Sequence, residues 1–229
     1  MFKKPVNKSE YQEENIFWIT MSDLLLGLMI VFLTLFIMSM VGFSQVKVSQ
    51  KVVQIELAEN LAEKFSENKI NVNVDKLSGL VEISDLELFD TGSYILSKKG
   101  KAYLDKFFPI YINTIFSNPE ISDKVENIVI QGHTDSQMFK GLKTEEEQYA
   151  KNLELSSLRA ITVANYVFKT KYDKKYKDKL QKILIVEGKS NTDPVLTDKK
   201  EDLNKSRRVE LDIRMKSTDL NVEEILFKK

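Results

Sequence analysis

The sequence has no cysteine, one histidine, four prolines and eight glycines in 229 residues, and its 34 basic and 34 acidic residues cancel. Without cysteine there is no disulfide framework, no thiol chemistry and no lipid anchor of the kind attached through a cysteine. One histidine, His133, excludes a histidine-rich metal site and leaves little to orient a nucleophile. A balanced charge gives no general basic field, so nucleic acid is not an expected partner. Long apolar runs are also missing, with a single exception.

That exception is residues 17–43, FWITMSDLLLGLMIVFLTLFIMSMVGF, which contain one charge, Asp23. The twenty residues 24–43 carry none. At about 1.5 Å per residue they would cross a hydrocarbon core of roughly 30 Å, so residues 16–43 are predicted to form one transmembrane helix. A cleaved signal peptide is the competing reading. Its apolar region would normally be shorter and end in small residues.

A carboxylate inside such a helix costs roughly 2.5–3.5 kcal/mol on insertion scales, so it normally faces a partner or a wet path. Stepping by four and three from Asp23 reaches Gly27, Ile30 and Thr34, which puts the acid, a glycine and a hydroxyl on one face. Leu24, Leu25, Leu28, Val31, Phe32 and Phe36 cover the others. Asp23 is therefore the first functional candidate, as a carboxyl that takes up and releases an ion. The bland alternative is an acid near the helix end that reaches the headgroups.

Residues 1–15 carry Lys3, Lys4 and Lys8, then Glu10, Glu13 and Glu14, with no apolar period, and read as a disordered tail. Three lysines before the span against Lys47 and Lys51 after it bias the N-terminus only weakly toward the cytoplasm. From residue 44 the chain turns polar. Val53, Leu57, Leu61 and Phe65 recur every four residues, so a helix continues outward. It could pair with a dimer mate as a coiled coil or lie on its own domain.

Alternation in residues 70–75 and 80–84 around Lys76-Leu77-Ser78-Gly79 predicts a hairpin. Ser97 can cap a helix through Tyr103, Leu104, Phe107 and Phe108 that runs past Pro109 and ends before Asn118-Pro119. Residues 126–131 read as a buried strand and 136–151 as a polar loop or insertion. Residues 152–168 read as a helix, 169–182 as a lysine-rich connector, 183–187 as a strand, 188–203 as a polar loop and 208–215 as a last strand. The order predicts an α/β (α+β) domain, a mixed sheet with helices on one face.

Two resemblances rest on particular residues. Trp18, Asp23 and Gly27-Leu28-Met29 with the aromatic-rich run resemble the membrane helix of stator B subunits in ion-driven rotary motors. These include flagellar stators and, closer over Phe17-Trp18-Ile19-Thr20-Met21-Ser22-Asp23-Leu24, the B subunits of the Zorya anti-phage system. That resemblance implies that Asp23 carries the ion, H+ or Na+, with no other cofactor. It also implies that two B chains, a homodimer, stand inside a ring of five A-type membrane subunits. Gly132-His133-Thr134-Asp135, then Asn152-x-x-Leu155-Ser156-x-x-Arg159-Ala160, then Arg207-Arg208-Val209-Glu210 resemble the OmpA-like peptidoglycan-binding domain over about residues 80–215.

That second resemblance implies that Asp135 and Arg159 hold the diaminopimelate of the wall peptide, with Asn152 and Leu155 shaping the pocket. The chemistry agrees. A fixed carboxylate accepts from the ligand's amine, and a guanidinium fork pairs its carboxylate in two places. Without a ligand, Asp135 and Arg159 could simply pair with each other. The chain departs from the family in its longer spacing between Asp135 and the Leu-Ser motif, in Ser190 within Gly188-Lys189-Ser190, and in Ser206 before Arg207-Arg208.

The combined expectation is a single-pass inner-membrane protein with a cytoplasmic tail (1–15) and a span (16–43). A helical linker with a first strand (44–79), a periplasmic wall-binding domain (80–216) and a C-terminal tail (217–229) follow. A non-conducting wall tether and a flagellar stator are the alternatives. Nucleotide binding is rejected, because a phosphate loop ending at Gly188-Lys189-Ser190 needs a glycine where Ile183 stands. No enzyme activity is expected, since no base stands in motif context with a nucleophile.

Overall fold

The computed structural model describes residues 8–90 and 92–216, with side chains described for 16–42, 51–90 and 92–216. The C-terminal tail and residues 1–7 of the N-terminal tail lie outside the described residues. Two units make up the chain, one comprising Met1–Ser49 and the other the compact body Gln50–Ser217.

Helix α1 is Lys8–Glu67. Residues 8–15, read from sequence as part of a disordered tail, are its opening turns. Within it, Ile16–Gly42 is long and apolar enough to cross a membrane, with a mean hydropathy of 2.8 and none of it buried within the chain. Leu24, Phe32 and Phe36 are each more than three-fifths exposed, so lipid or partner helices must cover them. Its hydroxyls fold back onto the preceding turn. Ser22 donates to the Trp18 carbonyl at 2.7 Å and Thr34 to that of Val31 at 2.8 Å, so neither leaves an unmet polar group.

The body, as a unit of contacts, includes most of the segment 44–79 read from sequence as linker and first strand. Leu57, Ala58, Leu61 and Phe65 in the last part of α1 are fully buried in the body's own core, and Phe65 stacks on Phe107 at 4.9 Å between ring centroids. The four-residue stripe therefore packs on its own domain, the second of the two readings its period allowed. Lys51 and Gln54 also donate to the carbonyls of Leu77 and Ser78, tying the helix to the tip of the hairpin formed by β1 (Asn73–Val74) and β2 (Val81–Ser84). At that tip Asp75 accepts from the backbone of Leu77 and Ser78, and Gly79 takes the positive φ of 71° that closes the turn.

After β2 come a single turn, α2 (Asp85–Leu88), and then α3 (Lys98–Phe116). Ser97 caps α3 by accepting from Gly100 N, and Pro109 sits inside it. A short α4 (Pro119–Ser122) leads to β3 (Val125–Gly132). Helix α5 is Glu145–Val167, seven residues longer at its start than the sequence pattern from 152 suggested. Thr144 and Glu147 form a capping box there, and three acids occupy the positive first turn. The presumed insertion 136–151 is thus half loop and half helix.

The lysine-rich connector contains a 3-10 turn (Lys174–Tyr176) and α6 (Lys177–Ile183), which precede β4 (Leu184–Gly188). The polar loop after β4 contains a small hairpin, β5 (Leu196–Thr197) and β6 (Lys200–Glu201), and a turn of helix, α7 (Leu203–Ser206). β7 (Arg208–Met215) closes the chain's sheet. Strand order is β1-β2-β7-β3-β4, antiparallel except for β3 with β4, which α5 connects.

Alternation in β7 decides the two faces of the sheet. Val209, Leu211 and Ile213 enter the core under the helices, whereas Arg208, Glu210, Asp212 and Arg214 point the other way and pair among themselves. Glu187 of β4 joins that ladder by accepting from Gln131 and pairing with Arg214 at 2.8 Å.

Candidate wall-binding site

Where β3 and β4 end, the backbone runs flush against α5. A Cβ on Gly132 would stand 2.1 Å from the Ser156 carbonyl oxygen, and one on Gly188 would stand 2.0 Å from Ser157 Oγ. Only glycine permits that approach, and only a small residue fits on the helix side. Ser156 also accepts from the Ser190 backbone at 3.0 Å, while Ser190 accepts from Thr134 N at 2.9 Å. The glycine of Gly-His-Thr-Asp and the serine of Leu-Ser-x-x-Arg thus belong to one joint. This joint sets the Thr134-Asp135 turn beside the helix that carries Arg159. Ser190 holds a left-handed φ of 54° with no glycine to ease it.

Asp135 and Arg159 do not pair with each other. Arg159, 1% exposed, is ion-paired through Nη2 with Asp85 Oδ2 at 3.0 Å and donates from Nε to the Ser93 carbonyl at 3.0 Å, with the Phe89 ring 5.4 Å from its Cζ. Asp135 pairs instead with Arg207. Asp85 and Arg207 are joined through their backbones, Asp85 N donating to the Arg207 carbonyl at 3.0 Å. Two acids and two arginines therefore make two ion pairs, a set with no net charge in which Asp85, Asp135 and Arg159 are buried and Arg207 is part-exposed. The direct Asp135–Arg159 bridge, the ligand-free alternative, is not formed: each of the two has another partner. The cause is Asp85, which the turn at α2 delivers to Arg159 and which no motif marked.

Besides the ring nitrogens of His133, four buried polar atoms on these elements have no hydrogen-bond partner among the described residues: Arg159 Nη1, Asn152 Nδ2, Thr134 Oγ1 and Asp85 Oδ1. Leaving such atoms unmet is costly, and the set offers both donors and an acceptor. Asn152 and Arg159 lie two turns apart on one face of α5, with half-buried Leu155 between them. Burial pushes the Asp85 carboxyl up to about 6, against the pull of Arg159 and Arg207. Burial also lowers Arg159 from its ordinary value, though a guanidinium stays charged at any physiological pH.

The longer spacing after Asp135 is ordered by Gln148, whose amide donates to the Gln137 carbonyl at 2.7 Å and whose Oε1 accepts from Phe139 N at 2.9 Å. Ser136 is bonded to Glu201 of β6, which brings the small hairpin to the same loop. Both Arg207 and Asp85 were missed as site residues by sequence reasoning. Arg207 stood in a quoted motif, but Asp85 follows a strand with no signal of its own.

His133, also buried, lies on the far face of the sheet, with Nε2 3.2 Å from Glu210 Oε2. His133, Asp193 and Glu210 place ligand-type atoms within 4.8 Å of one another. Arg208 already pairs with both acids of that trio, so each of its carboxylates has a partner in the protein. At the other end of the chain, the Asp23 carboxylate has no hydrogen bond or ion pair among the described residues.

Residues 88–208 match the OmpA family. Over 226 residues the chain is 29% identical to the Zorya protein ZorB of Escherichia coli, covering 93% of this chain and 94% of that protein. In structure it is similar to a MotB-like protein of Desulfovibrio vulgaris, with a TM-score of 0.51 and 20% identity over 73% of this chain and 94% of the other.

Proposed function

From the footing that this chain belongs to the OmpA family, we propose that it is a stator B subunit of a Zorya-type anti-phage motor, anchored to peptidoglycan by the body and conducting ions at Asp23. What carries the reading is the pairing, in one chain, of a lone acid in a 27-residue apolar segment with a largely buried two-acid, two-arginine site in an OmpA-type domain. Similarity to ZorB over nearly the whole chain supports joining the two in one machine.

In this reading two copies stand in a ring of five A-type subunits in the inner membrane, N-termini in the cytoplasm and bodies in the periplasm. Asp23 meets successive A subunits, and taking up and releasing H+ or Na+ there drives the ring. The body supplies the fixed point. A wall peptide ending in diaminopimelate presents an amine and a carboxylate on one side chain. The carboxylate docks on Arg159 Nη1 and the amine on Asp135, so the ligand adds no net charge to a set that has none. Asn152 and Thr134 supply further hydrogen bonds, and Leu155 packs against the ligand's stem.

The test compares wild type with Asp23→Asn at matched membrane levels, with the native partner genes present, scoring phage plaques and swimming in parallel. Loss of protection with motility unchanged is the expected outcome. Loss of swimming alone would reassign the chain to a flagellar stator. Indifference of both readouts, with wall binding intact, would leave only a tether.

A further inference from the structure

Asp85 is the residue in the site with no sequence signature and the one that most constrains its chemistry. It is 2% exposed, it takes Nη2 of Arg159 at 3.0 Å, and its second oxygen has no partner among the described residues. Ser93 takes Nε of the same guanidinium and Phe89 covers a face, so Nη1 is the edge left to a ligand. We propose that Asp85 is a positioning residue of the site: it fixes Arg159 so that one edge is offered, and its negative charge limits how strongly that edge draws the carboxylate of a wall peptide. This role rests on the wall-binding reading above.

The physical argument has two parts. A guanidinium on a long stem loses much rotamer freedom when it binds, and one held beforehand by Asp85 and Ser93 has already lost it. Against that gain, a carboxylate a few ångströms from the place where another must dock repels it, and burial makes the repulsion stronger than in water. The charged groups facing Asp85 are Arg159 from α5, Arg207 from the start of β7 and Asp135 from the turn after β3. With Asp85 ionised the four cancel, whereas with Asp85 protonated the site carries one positive charge and Arg159 lacks its counter-ion. The ligand's carboxylate then becomes that counter-ion. Since burial brings Asp85 up to about 6, the change falls within the range a periplasmic protein meets when its surroundings acidify.

The experiment measures binding of the full chain, in gentle detergent, to a tripeptide stem ending in meso-diaminopimelate between pH 7.5 and pH 5. For the wild type, affinity is expected to rise several-fold as pH falls. Asp85→Asn keeps an oxygen for Nη2 without the charge, so it is expected to bind about tenfold tighter at pH 7.5 and to change little with pH. Asp85→Ala removes the hold on Arg159 and is expected to bind more weakly than Asp85→Asn. The three proteins differ at this one residue, so the difference between their profiles reports Asp85.

A wild-type affinity that stays flat over this range overturns the proposal without any variant. So does an Asp85→Asn protein that keeps the wild-type slope or binds no tighter at pH 7.5. If the wild type binds no peptide at any pH, the wall-binding reading fails and the role of Asp85 fails with it.

Discussion

The last part of α1 should decide whether the body folds, and Leu61→Ala is the sharpest probe of it. Leu61 is fully buried, next to Leu57, Ala58 and Phe65 in the same core. A leucine cut back to alanine in such a place costs about 2–5 kcal/mol, by lost transfer energy and the cavity left behind. For a body the size of Gln50–Ser217, about 3 kcal/mol corresponds to a fall in Tm of roughly 6–12 °C. Glu63→Ala, on the exposed side of the same turns, should move Tm by no more than about 0.5 kcal/mol would. Near-ultraviolet circular dichroism suits the measurement, since Tyr111 is fully buried in the core and the lone tryptophan is in the apolar segment.

Two fragments extend the same test. One starting at residue 50 retains the buried stripe and β1. One starting at residue 80 loses Leu57, Leu61 and Phe65, each worth about 1.5–3 kcal/mol of burial, which together approach the 5–15 kcal/mol by which an ordinary domain is stable. The shorter fragment is expected to show no cooperative transition. The reasoning is refuted if it melts cooperatively within a few degrees of the longer one. It is refuted equally if Leu61→Ala leaves Tm unchanged and alters only self-association, the signature of a coiled coil.

Two further expectations concern the site's framing. Gly132→Ala drives a Cβ into the Ser156 carbonyl, so it should destabilise the body by about 1–3 kcal/mol or more and, in protein still folded, abolish peptide binding by pushing the Thr134-Asp135 turn off α5. Thermal melts and peptide titration check both halves. Glu210 is 4% exposed; burial works against its charge, but His133 and Arg208 outweigh burial and hold the carboxyl below its ordinary 4.5. A depressed acid contributes stability that is present above about pH 4.5 and lost as pH falls through its lower folded value. Tm measured from pH 7 down to pH 3 should therefore fall less steeply in Glu210→Gln than in wild type.

The sequence by itself determined everything that follows from local pattern. One apolar run long enough to span, one acid within it, the hairpin at Asp75, the cap at Ser97 and the alternating last strand are readable because each depends on residues a few positions apart. The motifs placed Asp135, Asn152, Leu155 and Arg159 in order along the chain. Even the earlier start of α5 was legible, since Thr144 and Glu147 stand three apart as a capping box does, although the polar composition of 136–151 hid it.

Tertiary structure decided what depends on residues far apart. The stripe from Val53 to Phe65 has the same period whether it meets a dimer mate or its own domain, and the position of Phe107 settled which. Charge partners were open for the same reason. Asp135 and Arg159 are each surrounded in sequence by candidate ions, and the fold gave them Arg207 and Asp85 because β7 lies between β3, which leads into Asp135, and β2, which leads into Asp85. An ion pair is chosen by which backbone brings a short side chain within about 4 Å, and only the assembled sheet specifies that.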